Sequence, residues 1–203
     1  KLKNSLPWER EQTLMDLVIA VLVSMTISIL LLLPYQPRIR LSGWLFSELL
    51  GPISGRQKIA KNQIQLIFPE KTKKECTLVA KNCLNNIGRS LIENFSPNHF
   101  INNSLVEIKG PGFEILKNSL NSGSPVILAT GHFGNYEAPR NALLNSGLET
   151  GGMYRPMNNK AFNKIYIQAM QKSGKPIFPR GNQGTRGMVK HLKKGGYIES
   201  FKT

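Results

Sequence analysis

The stretch VILATGHFGNYEAPR, residues 126–140, decides the fold. Val126, Ile127, Leu128 and Ala129 make a short apolar run of the kind that forms a buried strand. Gly131 and Gly134 then loosen the backbone. Asn135 is placed to cap a helix, and Pro139 falls in that helix's first turn, where a missing N–H is tolerated. A strand feeding a helix through a glycine turn is one unit of an α/β layer. The turn also delivers an imidazole, His132, and a carboxylate, Glu137, five positions apart. In α/β folds the carboxyl ends of strands are where ligands and reactive groups gather.

Spacing alone does not make this pair a site. With 12 acidic residues among 203, a histidine meets an acid five places on by chance often enough; His99 and His191 have Ser104 and Gly196 there. A hydrogen-bonded histidine beside a capping glutamate would read the same way.

Working outward, the same alternation continues on both sides. Towards the N-terminus, KIAKNQIQLIF (58–68) reads as a helix, and PEKTKKE restarts one with Pro69 and Glu70 near its first turn. That second helix runs through CTLVAKNCLNNIGRSLIENF, with Leu78, Val79, Cys83, Ile87, Leu91 and Ile92 as its expected buried face. SLVEIKG (104–110) reads as a short strand, and PGFEILKNSLNSG as a helix with Phe113, Leu116 and Leu120 inward. Towards the C-terminus come a strand in TGGMYRP, a helix in NKAFNKIYIQAMQKSG, a short strand in KPIFP, a basic helix in GTRGMVKHLKKGG, and a strand begun in YIESF. The fold class expected is α/β, a mostly parallel sheet flanked by helices. Cys76 and Cys83 lie seven apart on one helix, a poor geometry for a disulfide, and read as two reduced thiols in a core.

The N-terminal region is different in kind. LVIAVLVSMTISILLLL, Leu17 to Leu33, carries no charge. At about 1.5 Å per residue it spans roughly 26 Å, close to the hydrocarbon thickness of a bilayer. It is apolar on every face, unlike a core helix, and PYQPRIR follows it in place of a signal-cleavage pattern. Residues 1–37 are therefore expected to form a flank and transmembrane anchor. Residues 38–57, with Trp44, Leu45, Phe46, Leu49 and Leu50, are expected to form an interfacial amphipathic segment; a helix packed on the domain is the plainer alternative. Residues 58–203 form the main domain. The charges at Lys1, Lys3 and Arg10 are balanced by Glu9, Glu11 and Asp16, so the net +15 lies downstream. Arg38, Arg40 and Arg56 after the apolar run place that domain in the cytoplasm by the positive-inside tendency. The cations are dispersed, with no nucleic-acid-binding module, which disfavours nucleic acid. An anionic membrane surface or an acidic protein is the partner the field would draw.

At GHFGNYE the chain resembles the His-x4-acid motif of glycerolipid acyltransferases, and more closely the His-x4-Glu form of the bacterial lipid A biosynthesis (late) acyltransferases, the lauroyl and myristoyl transferring type. The N-terminal anchor, NQIQLIFPEKTKKE, NIGRSLIENF, MYRPMNNKAF and GMVKHLKKGG follow that family's order. The resemblance implies a glycerolipid-acyltransferase-like fold and acyl transfer from an acyl carrier protein thioester to a hydroxyl of a lipid A precursor, in lipopolysaccharide biosynthesis. It places the chain at the bacterial inner membrane with its catalytic domain facing the cytoplasm. It implies His132 as general base, Glu137 as the acid that orients the imidazole, and no metal or redox cofactor, acyl carrier protein being a co-substrate. Backbone N–H groups at the following helix start would meet the oxyanion. Arg155 and Asn159 match the family's Arg-Pro-x-x-Asn block and are expected to bind substrate, with Arg180 in FPRG a further candidate. Lys190, Lys193 and Lys194 read as a solvated face, and next as a carrier-protein or phospholipid contact.

Two departures stand out. Gln171 and Lys172 occupy the place where family members usually carry an arginine. The family also continues past KKGG to an Asp-Gln pair and roughly another third of a domain, so the domain here is expected to be incomplete and weakly active. The alternatives are a phospholipid-type acyltransferase acting on 1-acylglycerol phosphate, whose FPEGTRS block FPRGNQGTRG only partly imitates, and a membrane-bound binder of lipid or carrier protein without catalysis.

Overall fold

The computed structural model describes residues 7–103, 107–132 and 134–201. Helix α1 (Pro7–Leu31) contains one stretch, Leu14–Leu31, long and apolar enough to cross a membrane. Two of its hydroxyls bond within the helix: Ser24 donates to the Ala20 carbonyl and Thr26 to that of Leu22. Leu17, Val18, Val21, Leu22, Met25 and Ile29 are exposed, whereas Ala20, Ile27 and Leu30 are buried.

The described chain falls into two compact units. The first, Ile27–Phe100, is helical. Arg38 is buried, and its guanidinium donates to the Leu31 and Leu33 carbonyls, which closes the C-terminal end of α1. Helix α1 ends just before Pro34, which holds the N-cap position of α2 (Tyr35–Trp44), and Pro37 sits in the first turn of α2. A π-helical stretch (Leu45–Leu50) and the short α3 (Gly51–Ile53) follow, then α4 (Arg56–Ile67) and α5 (Lys73–Asn94). The start of α5 is set by a capping box, Thr72 with Glu75, so Pro69 and Glu70 fall outside the helix.

The buried face of α5 departs from expectation. It is Cys76, Ala80, Leu84, Gly88 and Ile92; Leu78 and Ile87 are exposed, and so is Cys83. Small residues won because α2 lies close. Ser42 donates to the Gly88 carbonyl at 2.7 Å, and a Cβ on Gly88 would stand 2.6 Å from the Ser42 carbonyl oxygen. The segment from Ile39 to Gly55 thus packs on α5 through one face, while Trp44, Leu49, Leu50 and Ile53 remain exposed. Helix α6 (Pro97–Asn103) ends this region.

The second unit holds the sheet. Helix α7 (Gly112–Ser122) precedes β1 (Val126–Thr130), α8 (Ala138–Asn145), β2 (Thr150–Tyr154), α9 (Lys160–Met170) with a 3-10 turn (Gln171–Ser173), β3 (Ile177–Pro179), α10 (Asn182–Leu192) and β4 (Tyr197–Phe201). Among the described residues the strands pair in parallel, in the order β1-β4-β2-β3. The α/β class read from the sequence holds. Glu107–Lys109 do not form the strand expected there; residues 104–106 lie outside the described residues, as does the side chain of Leu120. Strand β1 is an edge strand, and its alternate residues are exposed, so the apolar run does not mean burial on both faces. The YIESF strand is central, pairing Tyr197–Phe201 with β1 and Tyr197–Glu199 with β2. Beneath it Leu116, Leu143, Leu148 and Tyr197 form a core, with Phe113, Val126 and Leu128 packed against them.

Candidate active site

Because the strands are parallel, their carboxyl ends share one edge, and three of the expected residues follow them directly. His132 lies two residues beyond β1, Arg155 follows β2, and Arg180 follows β3. All three are exposed. With strands about 4.8 Å apart, His132 and Arg155 stem from positions two strand spacings apart, roughly 10 Å, and Arg180 is one spacing further. The Arg180 N–H donates to the Tyr154 carbonyl, which ties the two arginine turns together.

The loop after β1 turns at Gly134, whose φ of 55° favours glycine. Asn135 does not cap α8 as expected. Its Oδ1 accepts from the Glu137 N–H, and its carbonyl accepts from the Ala138 N–H, so the helix begins two residues later, with Pro139 in its first turn. These two N–H groups are therefore engaged and Pro139 has none, which removes them from the expected oxyanion donors. The His132 ring lies 5.4 Å from that of Tyr136, centroid to centroid.

Glu137 holds the N-cap position of α8 but caps nothing with its side chain. It turns inward, 1% exposed, and its Oε2 accepts from Arg140 Nη1 at 2.9 Å. Its Oε1 is buried and has no hydrogen-bond partner among the described residues. Burial pushes the Glu137 carboxyl up, against the downward pull of Arg140. Arg140 also faces Glu199 of β4, Nε to Oε2 at 3.9 Å, and burial pushes that carboxyl to about 7. Burial, with Tyr136 and Glu137 adding to it, pushes the Tyr166 phenol well up. Buried Glu137, Arg140 and Glu199, with the half-buried Tyr166, thus form a polar cluster at the start of α8, the helix that follows the His132 loop.

Asn159 is engaged within the protein. Its Oδ1 caps α9 by accepting from the Phe162 N–H, and its Nδ2 donates to the Asp16 carbonyl at 2.7 Å. Arg140 and Glu199 escaped the sequence reading. The one local signal was the i,i+3 spacing of Glu137 and Arg140 on a helix start. Along α10 runs an open groove of about 670 Å³, lined by Asn182, Thr185, Arg186, Val189, Lys190 and Lys193.

A parallel α/β sheet with an exposed imidazole at its carboxyl edge, a buried carboxylate five residues on in the chain and two exposed arginines further along the same edge defines a class of α/β protein whose ligands gather at the strand ends. The sequence profile of the bacterial lipid A biosynthesis acyltransferases matches residues 9–199, and the chain belongs to that family. It is similar to a lipid A biosynthesis acyltransferase of Haemophilus influenzae, 30% identical over 156 residues, which are 74% of this chain and 47% of that protein. The chain therefore spans about half the length of the curated relative it matches.

Proposed function

We propose that this chain takes part in transfer of a fatty acyl group from an acyl carrier protein thioester to a hydroxyl of a lipid A precursor. The observation that carries this reading is His132, exposed at the carboxyl edge of the sheet in a chain of this family, with Glu137 in the same loop. The neutral imidazole takes the proton of the acceptor hydroxyl as its oxygen attacks the thioester carbonyl. The tetrahedral intermediate collapses with loss of the carrier thiol, which receives that proton from the imidazolium. Glu137 supports the imidazolium. Arg155 and Arg180 supply positive charge for a substrate phosphate or the oxyanion. Asn159 serves the site by holding the start of α9 beneath the Arg155 turn. His132 general-base chemistry calls on no metal. The cations on α10, Arg186, Lys190 and Lys193, give the field that draws an acidic carrier protein. Helix α1 holds the chain at the inner membrane, with the site on the cytoplasmic side.

The test is turnover with acyl carrier thioester and lipid A precursor, alongside mass spectrometry of lipid A from cells carrying the intact gene. His132→Asn is expected to lower kcat by about 10²–10⁴-fold. Lysophosphatidic acid offered as acceptor is expected to yield no product. Parental turnover by His132→Asn would remove the base from the mechanism, and equal use of both acceptors would remove the lipid A assignment.

A further inference from the structure

We propose that Arg140 is the positioning residue of this site, seated in a socket built for it and holding Glu137 in one orientation with Oε1 turned free. The inference rests on the reading of Glu137 as the acid that supports His132.

The socket is specific. The Arg140 side chain is 1% exposed, and each nitrogen has a partner from a different part of the unit. Nη1 donates to Glu137 Oε2 at 2.9 Å, Nη2 to the Gly174 carbonyl at 2.8 Å, and Nε to the Thr150 carbonyl at 3.4 Å. Two glycines clear the space. A Cβ on Gly152 would stand 3.1 Å from the Arg140 Cζ, and one on Gly174 would stand 2.5 Å from the Thr150 carbonyl oxygen and 3.5 Å from Arg140 Nη2. The planar fork of a guanidinium meets three acceptors in fixed directions, which a lysine ammonium cannot do. Arg140 therefore joins α8 to the start of β2 and to the turn before β3, the two strands whose ends carry Arg155 and Arg180.

A buried ion pair by itself is weak ground for function, since many only maintain a fold. What this one adds is the acceptors it leaves over, Glu137 Oε1 and, on the facing carboxylate, Glu199 Oε2. Glu137 Oε1 is buried with no hydrogen-bond partner among the described residues, an arrangement that costs stability and calls for a reason. A carboxylate clamped through one oxygen, with the other unused, is prepared for a donor that arrives during the reaction, as an imidazole does when it becomes an imidazolium. The groups facing Arg140 are Glu137, Glu199 from β4 and Tyr166 from α9. Glu199, at 3.9 Å, is the weaker competitor for the guanidinium, so the clamp favours Glu137.

The test uses the whole chain in detergent micelles, with carbon-13 detection of the Glu137 carboxyl and parallel turnover. Arg140→Met is expected to raise the Glu137 titration midpoint by a full pH unit or more, because burial then acts unopposed. Arg140→Lys keeps the charge and, if the methionine variant does not fold, carries the test. It is expected to keep the parental circular dichroism yet lower kcat roughly 10- to 100-fold with KM unchanged, and to move the acid limb of the pH–rate profile upward. An unmoved Glu137 midpoint in Arg140→Met, or parental kcat and pH profile in Arg140→Lys, would overturn the proposal. Glu137→Gln and His132→Asn run in parallel separate the two levels. If both are fully active, the acid–base reading of the site fails; if both are impaired and Arg140→Lys is not, the positioning role alone fails.

Discussion

Glu199 shows how far one residue's behaviour depends on its place. In a peptide its carboxyl would titrate near 4.5; burial on β4 pushes it up to about 7. Between those values the folded chain holds more protons at this group than the unfolded chain does. Stability therefore falls as pH rises through this window, and the penalty is complete above about pH 7. The shift corresponds to about 3 kcal/mol as an upper bound. Glu199→Gln removes the titration. The variant is expected to match the parent in thermal stability near pH 4.5, to exceed it increasingly up to pH 8, and to show a flatter slope across the range. Thermal melts at stepped pH check this; identical slopes would show that the group does not titrate there. Neither Glu199 nor Arg140 was legible in the sequence, because their encounter joins positions 59 apart through parallel pairing. His132 and Glu137 were legible, because a strand end, two glycines and a proline confine both to one short turn.

At the scale of elements, the boundaries that chemistry sets locally could be read, and the faces that packing sets could not. The helix from Gly112 to Ser122, the strands at 126–130 and 150–154 and the helix at 160–170 lie where apolar periodicity and turn residues place them. The buried face of α5 could not be read locally, because its large apolar residues outnumber the small ones that touch α2. Gly88 is the sharpest case. A methyl group there would press on the Ser42 carbonyl and on Phe46 Cβ, at 2.6 and 2.7 Å. Gly88→Ala gains helix propensity but forces α2 away. The expected net effect is a loss of roughly 1–3 kcal/mol, read as a lower denaturation midpoint. No loss would mean that α2 moves freely against α5.

At the scale of the whole molecule, α1 presents a row of aliphatic side chains outward, and water is a poor environment for them. The hydrogen bond from Asn159 to the Asp16 carbonyl holds the start of this helix within the unit that carries the site. Leu22 is 59% exposed in the middle of the row. Leu22→Arg is expected to cost about 3 kcal/mol of membrane affinity, on the order of a hundredfold in partitioning, and to move the chain from the membrane pellet to the supernatant on fractionation. Retention of the variant in the pellet would show that α1 is not what holds the chain there.

Composition and local pattern by themselves determined an α/β layer, an apolar N-terminal helix, and a histidine and glutamate delivered together after a strand. Each follows from interactions between near neighbours in sequence: hydrophobic periodicity, the backbone freedom of glycine, the fixed φ of proline. Tertiary structure alone decided that β4 lies between β1 and β2, that α5 buries its small residues, and that Glu137 turns away from capping to meet a buried arginine. Those outcomes depend on which distant surfaces fit closely enough to exclude water, and a strand or helix read in isolation carries no record of its eventual neighbour.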